Sequence, residues 1–161
     1  MRQRLPLAEF VAGAGTRTHT SSWIEITQDV IGRFADVTND HQFIHVDPER
    51  AKAETPFGGA IAHGFLTLSL LSAFAIDALP VPEGTAMGIN YGFDKIRFLA
   101  PVRTGKRVRA HFKFLECSER KPGEMLSRYE VSVEIEGSET PALVAIWLGM
   151  VILESKVGNK A

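Results

Sequence analysis

A single cysteine, Cys117, occurs in 161 residues, so no intramolecular disulfide can form and a disulfide-stapled architecture is excluded. Charge of neither sign is in excess: 18 Lys and Arg stand against 19 Asp and Glu, a net of −1. The chain therefore lacks the concentrated basic face of a nucleic-acid binder. Long hydrophobic runs are missing too. The apolar segments fall short of the roughly 20 residues that a membrane-spanning helix needs, and Met1 to Phe10 has no apolar core of the signal-peptide kind. There is no internal repeat and no low-complexity linker. With 45% hydrophobic and 23% charged residues, the expectation is one soluble, cytoplasmic domain over 1–161, with its core at about 22–153 and no nucleic-acid or membrane partner.

What is present divides into a helical first half and a stranded second half. Residues 1–20 are mixed in character and are expected to pack loosely. Residues 22–27 read as a short strand. Thr27 or Asp29 then caps a helix that carries Val30, Ile31, Phe34, Ala35 and Val37 at helical spacing. A loop over 38–46 follows, and Asp47-Pro48-Glu49 reads as the start of a second helix that ends near Ala53. Between Phe65 and Ile76 only Thr67, Ser69 and Ser72 are polar, which predicts a buried helix, ended by Pro80-Val81-Pro82. Beyond it, Val108, Ala110, Phe112 and Phe114 alternate with polar residues, as do Tyr129, Val131, Val133 and Ile135. These are strands with one wet face. The stretch 142–153 is apolar on both faces, as in a central strand or a subunit interface. The fold class is α+β: an antiparallel curved sheet wrapped around a central buried helix at about 63–79. The helix surface left over would be covered by helix 28–37 and by a second subunit.

Chemistry concentrates in Asn39-Asp40-His41-Gln42-Phe43-Ile44-His45-Val46-Asp47-Pro48. On one continuous helix, Asp40 and His45 would stand roughly 140° apart. The helix start at Asp47-Pro48 argues for a turn instead, and in a turn both side chains can face one pocket and share a water. A nearby carboxylate favours the protonated imidazole, and such a pair can perform general acid–base catalysis. The bland alternative is a helix-terminal Asp beside a satisfied, half-buried His. A metal set of Asp40, His41, His45, Asp47 and His63 is disfavoured. His41 and His45 have i, i+4 spacing, but Gln42 stands where a zinc-protease motif needs Glu. Downstream, His63-Gly64 opens the apolar helix, where the Gly64 N–H can polarise a carbonyl or the glycine can merely permit close packing.

The run Asp40 to Pro48, with Ile61-Ala62-His63-Gly64 after it, resembles the MaoC-like, R-specific enoyl-CoA hydratase family (hydratase 2) of hotdog folds. The likeness spans about residues 25–153. Asn39 stands where that family has Gly, and Gln42-Phe43 where it has Asn-Pro. Asp-His-Gln followed by an aromatic residue is most similar to the subgroup related to the nodulation protein NodN.

The resemblance implies a hotdog domain that hydrates trans-2-enoyl-CoA to (3R)-3-hydroxyacyl-CoA and catalyses the reverse dehydration. Asp40 and His45 would hold the attacking water, and the Gly64 N–H would sit on the thioester oxygen. Ser72 and Asn90 are weaker candidates near the site; a serine bonded within its own helix is an equal reading for Ser72. Arg97, Arg103, Lys106, Arg107 and Arg109 could meet the CoA phosphates or simply form a solvated face. No cofactor and no metal are implied beyond the coenzyme A thioester as substrate, and a homodimer is. Two other readings stay open: a hotdog acyl-CoA thioesterase, and an acyl-thioester binding module without turnover.

Overall fold

The computed structural model describes residues 2–154; Met1 and residues 155–161, the two ends of the expected 1–161 domain, lie outside the described residues. In chain order the elements are β1 (Arg4–Leu5), α1 (Leu7–Ala12), β2 (Thr18–Thr20), β3 (Ile24–Glu25), α2 (Gln28–Thr38), α3 (Phe43–Val46), α4 (Pro48–Glu54), α5 (Gly64–Ser69), α6 (Leu71–Ala78), β4 (Val81–Pro82), β5 (Thr85–Phe98), β6 (Arg107–Lys121), β7 (Glu124–Ile135) and β8 (Leu143–Leu153).

Alternation in the sequence builds the main sheet. Throughout β7, and in β6 as far as Phe114, every second side chain is buried, including Val108, Ala110, Phe112, Val131 and Val133, because successive side chains of a strand point to opposite faces. The two strands form a hairpin with Val108 opposite Ile135, closed through Gly123 at φ +80°, a left-handed conformation that favours glycine. The order is β2-β6-β7-β8-β5, with β3 also on β6, and every pairing in this six-stranded sheet is antiparallel. The stretch 142–153 is indeed an inner strand, β8, between β7 and β5. Its apolar face against the helices is buried. β5 is terminal in this order and carries the exposed apolar side chains Met87, Ile89, Tyr91 and Phe98.

The buried face of the sheet meets α5 and α6, as the α+β hotdog expectation requires. Leu66, Leu71, Phe74 and Ala75 pack there with Phe112, Val131 and Leu143. Two features of the expected helix change. It is broken at Leu70, just after Ser69, whose hydroxyl donates to the Phe65 carbonyl at 2.7 Å, a back-bond that bends helices. It is also buried on one side only: Phe65 and Ile76 are 68% and 62% exposed. Helix α2 does not cover that side, which instead borders the exposed face of β5.

The first twenty residues do not pack loosely. Leu5 and Phe10 are buried, and Phe10 lies 5.2 Å from the Phe114 ring. β1 pairs with β4 in parallel, and the Arg2 Nε donates to the Leu79 carbonyl at the C-terminus of α6, where a cation meets the negative helix end. Of the expected strand 22–27 only Ile24–Glu25 forms a strand, pairing with Val108 and Arg107; Ile26 continues the bonding to Gly105 and Lys106 while its side chain is fully buried.

Candidate active site

The site begins at the end of α2. Thr27 caps the helix start, its hydroxyl accepting from the Val30 N–H. At the other end Asn39 is left-handed (φ 55°), and the N–H groups of Asn39 and Asp40 both go to the Ala35 carbonyl, as in a Schellman turn. The chain is thereby thrown sideways at Asp40. The Asp40 carboxylate accepts from the Gln42 N–H at 3.4 Å. The expected loop over 38–46 shrinks to residues 39–42, because Phe43–Val46 closes one helical turn that carries His45. The next helix starts where Asp47-Pro48 places it, with the Asp47 carboxylate capping the Arg50 N–H at 3.0 Å.

Three hydrogen bonds fix α3. The Gln28 amide donates to the His45 carbonyl at 2.7 Å, the Ile61 N–H donates to the Ile44 carbonyl at 3.0 Å, and the His45 Nδ1 meets the Ile61 carbonyl at 2.7 Å. A carbonyl can only accept, which assigns the proton to Nδ1 and leaves the neutral ring with a bare lone pair on Nε2. His45 is 7% exposed. Burial pushes its pKa below the usual 6.5; the Ile61 carbonyl pulls it up, His63 pushes it down, and Asp40 pulls it up. The expected upward influence of the carboxylate is present, but loss of solvent outweighs it. The imidazole is thus held as a neutral base at pH 7.

His63 is the third member. Its ring stacks on His45 with centroids 3.8 Å apart, and its Nε2 lies 3.0 Å from the Asp40 carbonyl and 4.0 Å from the Asp40 carboxylate. Donor atoms of Asp40, His45 and His63 all lie within 4.8 Å of one another. The larger set with His41 and Asp47 does not assemble among the described residues. His41 pairs with Asp36 and Asp47 caps α4. From the sequence, His63 stands out only as the residue before Gly64 and as one of several metal-type side chains. Its place beside the pair depends on the chain returning at 61–63, which local spacing does not show.

Gln42 and Phe43 depart, with Asn39, from the family pattern. The Arg50 guanidinium lies over the Phe43 ring at 4.1 Å, and Gln42 serves the loop through its main chain. Gly64 begins α5, and among the described residues its N–H has no hydrogen-bond partner. A Cβ there would come within 3.1 Å of the Phe98 ring, so the glycine permits a close approach at the same point where its N–H stands unpaired.

Two cavities lie between α5–α6 and β5. Gly64 faces Phe98, Leu68 and Phe93 line one cavity of about 300 Å³, and Ala75, Ile76 and Ile89 line another of about 310 Å³. Ser72 and Asn90 stand where the two meet, and the Asn90 amide donates to the Ser72 hydroxyl at 2.9 Å. This corrects the reading of Ser72 as bonded within its own helix. Neither cavity is lined by Asp40 or His45; the rings of Phe65 and Phe98, 5.9 Å apart, occupy the stretch beside Gly64. Of the five basic residues, Arg107 pairs with Glu136 and Arg109 with Glu134 on the outer sheet face, the solvated-face reading. Arg97 and Arg103 donate to the main-chain carbonyls of Ile96 and Gly58.

Residues 9–136 match the model of the MaoC like domain family. Nodulation protein N of Rhizobium meliloti is 49% identical over 157 residues, covering 98% of each chain. A 3-hydroxyacyl-thioester dehydratase Z of Mycobacterium tuberculosis is 46% identical over 145 residues, 90% of this chain and 95% of that one. Among solved structures, the unliganded R-hydratase of Pseudomonas aeruginosa superposes with a TM-score of 0.70 at 23% identity, covering 95% of this chain and 88% of that one, a likeness of fold. The hotdog sheet, the domain match over most of the chain and relatives near half identity agree: the chain belongs to the MaoC-like dehydratase family.

Proposed function

We propose that the protein is a hydro-lyase that adds water to a trans-2-enoyl-CoA, giving the (3R)-3-hydroxyacyl-CoA, and catalyses the reverse dehydration. The observation that carries this reading is a buried, neutral His45, its Nδ1–H taken by the Ile61 carbonyl and its Nε2 bare, with a ring nitrogen and a carboxylate oxygen of Asp40 within 4.8 Å of each other. A water held between them loses a proton to the pair as its oxygen bonds to C3. The C2–C3 π electrons move onto C2 and the thioester oxygen, where the Gly64 N–H stabilises the developing charge. The pair then returns a proton to C2, so one water is added and both groups are regenerated. No cofactor or metal takes part, and Asp40, His45 and Gly64 touch the reacting atoms. The dehydratase relative acts on 3-hydroxyacyl thioesters by its name, and the 3R outcome rests on the hydratase 2 resemblance.

The test is hydration of crotonyl-CoA by the purified protein, followed as loss of the conjugated thioester, with free thiol measured in parallel. Turnover without thiol release is expected. Thiol release identifies a thioesterase, and calorimetric binding without turnover identifies a binding module; either result overturns the proposal. In the same assay, kcat/KM should be level through neutral pH and fall on the acid side with a midpoint below 6.5, since His45 must be neutral and its pKa is lowered. The sign for stability is the same. Below pH 6.5 the unfolded chain takes up the proton that folded His45 refuses, so stability falls as pH drops through that range.

The open edge of β5 and the exposed Phe65 and Ile76 are proposed to meet a second copy, giving a homodimer in the cytoplasm. A long unpaired edge strand is a template for pairing, and a two-fold contact needs only one self-complementary patch. Phe65→Asp together with Ile76→Asp should convert a dimer into a monomer in light scattering. A monomeric wild-type protein sinks this part.

A further inference from the structure

We propose that His63 is a positioning residue whose Nε2–H holds the main-chain carbonyl of Asp40, and so keeps the Asp40 carboxylate beside the His45 ring. This rests on the acid–base reading of Asp40 and His45 and deepens it.

Asp40 is exposed over 56% of its side chain. Its N–H goes to Ala35 and its carboxylate receives the Gln42 N–H, both within its own segment. The bond from His63 at 3.0 Å is the one hydrogen bond, among the described residues, that ties Asp40 to the part of the chain carrying Gly64. The acceptor is a carbonyl, so His63 Nε2 must carry the proton. The other nitrogen, Nδ1, is buried without a partner, in a ring only 3% exposed. Leaving a buried polar atom unpaired is costly, and an apolar side chain would fill the same space without that cost. The imidazole therefore serves through its other nitrogen. Its plane is also set: His45 stacks on it at 3.8 Å, and the Phe34 ring lies 5.1 Å away. A clamped ring donates in one direction, which is what holding a loop carboxylate in place requires.

Two amide variants separate this role from simple packing. In His63→Gln the side-chain nitrogen reaches the position of Nε2 and can donate to Asp40. In His63→Asn the nitrogen falls at the position of Nδ1, where there is no partner. Both bury an amide, so a general cost of burial appears in both. His63→Gln should keep kcat for crotonyl-CoA within about tenfold of wild type, while His63→Asn should lose about 10²-fold in kcat with KM little changed, the scale of a small misplacement of a catalytic group. His63→Met, which fills the volume without a donor, replaces the Asn variant if that one does not fold. A second readout needs no substrate: the His45 ring proton titration followed by NMR. Its midpoint should be lower in the Asn (or Met) variant than in His63→Gln, because the carboxylate that raises it is no longer held. Equal kcat losses in the two folded variants, or equal midpoints, overturn the proposal. A wild-type protein without hydratase activity sinks the acid–base reading instead, and the NMR comparison then decides the role of His63 alone.

Discussion

Asp40→Asn and His45→Asn are each expected to lower kcat/KM for enoyl-CoA hydration by about 10²–10⁴-fold, the usual worth of a general acid–base group, while leaving the protein folded. The two substitutions are chosen by what each side chain does besides chemistry. Asp40 accepts one long hydrogen bond, 3.4 Å from the Gln42 N–H, and an Asn oxygen can accept it as well. What Asn cannot do is take up a proton. With the side chain more than half exposed, the melting temperature should hardly move. His45 is different because it is buried and its Nδ1–H satisfies the Ile61 carbonyl. An Asn amide sits near the Nδ1 position and keeps that donor. His45→Gln carries its nitrogen one bond further, leaves the carbonyl unpaired, and should add a stability loss of about 1–3 kcal/mol. A double variant should be little worse than either single one, since groups that work on the same water act as a unit. Full activity in either folded single variant would remove the acid–base pair from the mechanism.

Why the pair could be read from the sequence, and its third member could not, follows from how each is placed. Asp40 and His45 are joined by four residues, and the signals that bend the chain between them are local: Asn at a left-handed position, and Asp-Pro starting the next helix. Thr27 as a cap and the alternation in β6 and β7 are local too, and all of these elements formed where expected. His63 approaches from 23 residues beyond Asp40, carried there by a backbone bond from Ile61 to Ile44 that no periodicity encodes. The N-terminal twenty residues fail for a similar reason. Phe10 finds its partner in Phe114, and a six-residue helix with one buried side chain has too little amphipathic pattern to announce itself. The helix over 63–79 is answered by half. Apolar residues on all sides imply burial, and the sheet buries one side, while the side assigned to helix 28–37 and a second subunit stays exposed in the single chain.

Phe74→Ala is expected to cost about 3–5 kcal/mol, the range for emptying a large aromatic from a core, and to shift the urea midpoint down without changing the slope. Phe74 is 1% exposed and among the largest fully buried side chains. It shares the sheet-facing side of α6 with Leu71 and Ala75, at the i−3 and i+1 positions. A domain of this size is stable by only about 5–15 kcal/mol, so this one truncation removes a large share of the total. The loss in equilibrium constant is of the same order as the rate loss expected for Asp40→Asn, and the two separate by readout. Activity of Phe74→Ala should follow the folded fraction and return when conditions restore folding, because Asp40, His45 and His63 are held by α2, α3 and the 61–63 return rather than by Phe74. A variant that is fully folded by its circular dichroism yet inactive would mean that the packing of α6 reaches the pair directly, against the separation of core and site described by these contacts. Ile76→Ala on the opposite side of the same helix provides the control. At 62% exposure it should cost within about 0.5 kcal/mol in a lone chain, so a larger loss that grows with protein concentration reports the second copy covering that face.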